Sequence, residues 1–136
     1  MNFLLTLLLA QAVIPAAPPV TLAQGQYGSV AEAKTLYIRT VQEWETLWTS
    51  INPTQPAPAV PFATEAVAAV FLGERPSGGY RVNITGTRRD GTALVIEYTE
   101  RAPGPGDIVT QALTSPFHIV RVPRHDGAVS FSRISR

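Results

Sequence analysis

Between Tyr80 and Arg101 apolar and polar side chains take turns. Only an extended chain converts that two-residue rhythm into one apolar face and one wet face. Tyr80, Val82, Ile84 and Gly86 alternate with Arg81, Asn83, Thr85 and Thr87, and on the return Leu94, Ile96 and Tyr98 alternate with Val95, Glu97 and Thr99. Asp90-Gly91 stands between the two runs and marks a hairpin. A two-residue turn there pairs Ile84 with Glu97 and sends the two apolar sets to opposite faces. A loop of Arg89, Asp90 and Gly91, with Gly91 left-handed, pairs Ile84 with Ile96 and Val82 with Tyr98, and is the register expected.

The rest of the chain fits around that hairpin as mainly β. Phe117 to Pro123 and Ala128 to Ile134 flank Asp126-Gly127 and predict a second hairpin. Glu65 to Leu72 is an unbroken apolar run, assigned as a buried strand, with a helix as the alternative because of its alanines. Thr35 to Arg39 reads as a strand and Gln24 to Val30 as a short first one. One helix is expected. Thr40 stands three residues before Glu43, the spacing of a capping box, and Val41, Trp44, Leu47, Trp48 and Ile51 then share a face. The two tryptophans suit core packing better than a ligand clamp. Pro53, Pro56, Pro58 and Pro61 exclude helix and central strand, leaving an extended connector. The fold class is a small antiparallel β-sheet, sandwich-like domain with one short N-terminal amphipathic helix, α+β being the alternative.

At 136 residues there is room for one domain with a core of useful size. A formal charge of +1 gives no strong field towards phosphate, so nucleic acid is not an expected partner. There is no cysteine, which excludes disulfides, thiolate chemistry and a lipid anchor on an N-terminal cysteine. Phe3 to Ile14 is almost wholly apolar and, at 12 residues, shorter than the roughly 20 that cross a bilayer. It reads as the core of a signal peptide over residues 1–23, cleaved after Ala23, with Ala10 and Ala12 marking an earlier candidate. Residues 24–136 are then the mature single domain, exported to the periplasm or the medium.

No residue set announces chemistry. His118 falls in a strand and His125 beside a turn, neither with an acidic or second histidine partner at ligand spacing. Ser77 lies in Pro-Ser-Gly-Gly, a turn, and not in a nucleophile elbow. Glu97 and Glu100 point to opposite faces of one strand. No glycine-rich loop opens a helix, so no phosphate cradle is expected. The reading is non-enzymatic, without catalytic residues, cofactor or metal. Two loops stand out as candidate protein-binding surfaces: Arg75, Pro76, Ser77, Gly78, Gly79 and Tyr80 in one, Pro103, Gly104, Pro105 and Gly106 in the other. Glycine and proline there set defined shapes, and loops on a rigid scaffold often carry binding.

Three stretches carry a family resemblance. EWETLW (Glu43 to Trp48), VFLGERPSGGY (Val70 to Tyr80) and PGPGDIVTQALTSPFHIVRV (Pro103 to Val122) together resemble the C-terminal domain of the PrcB family of protease complex or protease stability proteins. The resemblance runs from about Thr35 to Arg124. It implies an exported accessory protein that binds and stabilises a protease complex, with an exported protease as partner. The Pro-Ser-Gly-Gly-Tyr loop also resembles, over about five residues, the loop of chagasin-type cysteine protease inhibitors, which implies a direct inhibitor as the alternative. A cell-envelope structural protein and a small hydrolase with an unrecognised site are the readings from other classes.

Overall fold

The computed structural model describes residues 18–135. In chain order these form β1 (Val20–Gly25), β2 (Lys34–Ile38), α1 (Val41–Ile51), β3 (Glu65–Phe71), β4 (Arg81–Asp90), β5 (Ala93–Arg101), β6 (Phe117–Pro123) and β7 (Val129–Arg133). The first sheet has the order β1-β6-β3-β2 and is antiparallel throughout. The second has the order β4-β5-β7, with β7 running parallel to β5. The expected class is what folds: mainly β, two packed sheets and one short helix.

Two apolar cores make three layers. Ala68, Val70 and Leu72 from β3 and its exit, with Val120 and Val122 from β6, meet Val82, Ile84, Leu94 and Ile96 of the second sheet. On the other side of the first sheet Val67, Ala69, Phe71 and Ile119 meet Trp44, Leu47 and Trp48 of α1. β3 therefore buries both faces, which is why its sequence does not alternate. Its pairing with β2 and β6 settles the strand-or-helix alternative for Glu65 to Leu72.

The helix forms where expected. The Thr40 side chain accepts from the Glu43 N–H, and the Thr40 hydroxyl donates to the Glu43 carboxylate at 3.0 Å. Both indole N–H groups are satisfied by the proline-rich connector: Trp44 Nε1 donates to Pro58 O at 2.8 Å and Trp48 Nε1 to Gln55 O at 3.0 Å. An extended proline segment has carbonyls free for such donors. The tryptophans are core, with Trp44 only 1% exposed.

Three local readings are corrected. The first hairpin turns one residue later, with Gly91-Thr92 between the paired Asp90 and Ala93. Gly91 is left-handed at φ 63°, and the positive φ falls on the first loop residue alone, as a type II′ turn requires. Ile84 pairs with Tyr98 and not with Ile96, and Val82 with Glu100. A bulge between Ile84 and Gly86 then shifts the register by one. That extra residue puts Val82 and Ile84 on the face of Leu94 and Ile96 without the longer loop.

The second expected hairpin does not form. β6 lies inside the first sheet between β1 and β3, so both its edges are taken, and β7 crosses to the second sheet. Finally, the first strand starts earlier than Gln24, at Val20. The expected cleavage point at Ala23 thus falls inside β1. The apolar stretch Phe3 to Ile14, assigned as the core of the signal, lies outside the described residues.

Candidate functional site: an interlocked loop end

At one end of the sandwich the chain leaves β1, β3 and β5 and enters β2, β4 and β6. The connections gathered there include both loops singled out in the sequence. The loop of residues 73–80 is stitched to the segment 102–116 by backbone pairing. Arg75 and Thr114 exchange both backbone hydrogen bonds, at 2.8 and 2.9 Å, and the Gly78 N–H donates to Thr110 O at 2.9 Å. Thr114, 2% exposed, donates its hydroxyl to Ser77 O at 2.8 Å. Ser115 N–H donates to Gln26 O, and Gly28 N–H to Ser115 O, which ties in the β1–β2 connection.

Gly79 is the point where the two loops press closest on each other. Its φ of 93° suits glycine, and an added Cβ would stand 2.8 Å from Pro103 Cβ and from Val109 Cγ1. The two loops read separately in the sequence are thus one structure. Within it Gly78 is buried, Ser77, Tyr80 and Pro103 are half-buried, and Pro76, Gly79, Gly104, Pro105 and Gly106 are exposed. The Arg75 guanidinium lies 5.7 Å from the centroid of the Tyr80 ring and 3.8 Å from the Glu100 carboxylate. Asp107 closes the outer turn: its carboxylate accepts from the Gly104 N–H at 2.8 Å, and its own N–H donates to Gly104 O.

What projects from this frame was not singled out in the sequence. Ile108 is fully exposed, Leu113 is 63% exposed, and Tyr27 is 64% exposed on the neighbouring connection. Each of these large apolar groups, held on hydrogen-bonded loops at one end of the domain, would gain by being covered. The available signal was that Ile108 and Leu113 follow Gly-Pro-Gly-Asp with neither strand nor helix periodicity, leaving no core for them to enter.

The two histidines have structural partners. His118 is 4% exposed. Its Nδ1 accepts from the Ile84 N–H at 2.8 Å, which leaves Nε2 to donate to Thr21 Oγ1 at 2.8 Å. This one ring ties β6 to β1 and to the second sheet. Burial, with the positive charge of Arg81 adding to it, lowers its pKa to about 4, so at neutral pH it is uncharged. His125 Nε2 lies 2.9 Å from Thr92 O at the opposite end. Glu97 is held by Arg88 at 2.8 Å and Glu100 by Arg75 and Arg133, so neither carboxylate faces the other. Among the described residues no group of three His, Asp or Glu gathers to hold a metal ion, and no helix is long and apolar enough to cross a membrane.

Fold and loop end together define a two-sheet β domain, backed by one helix, that presents a stiff, partly apolar loop surface. A family model described as PrcB C-terminal matches residues 66–123, from β3 to the end of β6. The resemblance read in the sequence holds over that segment, which contains both candidate loops, while β2 and α1 lie outside it. That family is of accessory type, not an enzyme family, and points to a protease-associated role. No curated protein and no solved structure matches this chain.

Proposed function

We propose that the chain is an exported accessory protein that attaches to a protease complex through its loop end and stabilises it without doing chemistry. The observation that carries this reading is the fully exposed Ile108 on a loop locked by the Gly78–Thr110 and Arg75–Thr114 hydrogen bonds. A preordered loop has little freedom left to lose on docking, so most of the apolar area covered counts towards affinity. The family match over residues 66–123 supports the protease association.

The inhibitor reading draws on Ser77 to Tyr80, but this stretch serves the frame: Gly78 is buried and Tyr80 lies against Arg75. Ile108 and Leu113 project from the other loop, which favours docking over insertion into a protease cleft.

Crosslinking in the source cells tests the proposal. The wild-type chain is expected to recover an exported protease or its complex, and an Ile108→Asp, Leu113→Asp double variant, folded by circular dichroism, is expected to lose it. Recovery of no protease by the wild-type chain overturns the reading.

A further inference from the structure

Among the described residues the sandwich has four edge strands, β1, β4, β7 and β2. An edge offers unpaired backbone N–H and C=O groups, and proteins guard such edges with bulges and charge. β1 carries a bulge between Thr21 and Ala23, and β4 carries one between Ile84 and Gly86 together with Arg81, Arg88, Arg89 and Asp90. β7 presents Ser130, Ser132 and Arg133. β2 has none of these bulges: its five residues pair with β3 in unbroken register.

Beside this edge lies a groove of about 460 Å³ between β2 and α1. Leu36, Ile38 and Leu47 make it apolar, and Gln42, Thr46 and Ser50 line it from the helix. Its two ends carry opposite charge. The helix returns antiparallel to the strand that precedes it, so Lys34 stands at the Ser50 end and Glu43 at the Ile38 end. Lys34 has no ion-pair partner among the described residues. The helix dipole opposes this pattern with about half a charge at each end, which the two full side-chain charges outweigh.

We propose that this groove takes an extended peptide segment of a partner protein, paired antiparallel to β2 with its carboxyl end towards Lys34. An unpaired strand edge recognises a backbone in the extended state, and alternate side chains then enter the adjoining groove. Antiparallel pairing is the more stable of the two senses and brings the free carboxylate of a partner's C-terminal segment to Lys34. The five residues of β2 span roughly 17 Å, so the segment is short and the contact a weak one until added to a second.

A fluorescein-labelled peptide of about seven residues, alternating valine and threonine with a free carboxylate, serves as the probe. It is expected to bind the whole protein at micromolar concentration, with amide shifts confined to residues 34–38 and the facing side of α1. Methylating alternate backbone nitrogens of the probe is expected to abolish binding. Thr46→Trp, which fills the groove from an exposed helix position, is expected to weaken it at least tenfold, and Lys34→Glu several-fold. Ile108→Asp is expected to leave it unchanged, so this inference and the loop-end reading fail separately. Absence of binding at millimolar probe, equal binding of the methylated peptide, or shifts centred elsewhere overturns it. So does a solution dimer in which a second copy of the chain covers β2.

Discussion

His118 shows how much one ring holds. It satisfies an N–H of β4 and a hydroxyl of β1 from its place in β6, and its neutral form is the one that can do both. Its pKa falls from the ordinary 6.5 to about 4 on folding, so the unfolded chain binds the extra proton between those values. Stability is therefore full above pH 6.5 and declines as pH falls towards 4, by an amount on the order of 3 kcal/mol. Urea unfolding from pH 7 to pH 4 checks this, and His118→Leu is expected to remove that dependence while costing about 2 kcal/mol or more at neutral pH. Gly79 is tested by comparison with Gly91. Both have positive φ, but a Cβ at Gly91 meets nothing within 4 Å. Gly91→Ala is expected to cost about 1 kcal/mol from backbone strain alone, whereas Gly79→Ala adds the clash with Pro103 and Val109 and costs at least twice that. A flat response at Gly79 would mean that the loops are not interlocked.

Among the elements, β1 is the most exposed to a wrong boundary. Thr21 Oγ1 accepts the hydrogen bond that His118 Nε2 donates, Leu22 and Ala23 pack against the helix-side core, and the strand covers one edge of β6. A chain beginning at Gln24 loses four of the six residues of β1, one beginning at Pro18 none. The shorter chain is expected to unfold at several degrees lower temperature, and equal melting of the two would show that β1 contributes nothing. The helix, β3, β4, β5 and β6 were legible because each is specified locally: a cap and a stripe, or a run of alternating or unbroken apolar residues. Strand partners beyond the β4–β5 hairpin were not. The bulge at Thr85 leaves the composition unchanged while moving the register, and nothing in Phe117 to Ile134 says that both edges of β6 are already occupied. The candidate loops were visible as glycine and proline, yet their convergence depends on strands far apart in sequence, and so did the exposure of Ile108.

Across the whole molecule, the end away from the loops is held by two arginines. Arg39, just past β2, donates to His125 O at 2.9 Å and Gly127 O at 2.7 Å, and Arg124 donates to Arg39 O and Phe62 O. These bonds fix the crossover from β6 to β7 and so position the last strand of the second sheet. Arg39→Met is expected to cost about 1–3 kcal/mol and to speed amide exchange in β7 and β5 ahead of the first sheet. Uniform acceleration in both sheets would show that the crossover is not a separate weak point. The same connectivity governs when the molecule can assemble. The opening strand waits for the sixth, and the fifth waits for the last, so neither sheet is complete until nearly all of the polypeptide has been delivered. Closing such distant loops makes refolding slow, on the scale of milliseconds to seconds, and leaves Leu94 and Ile96 bare in the interval, when a chaperone has its opportunity.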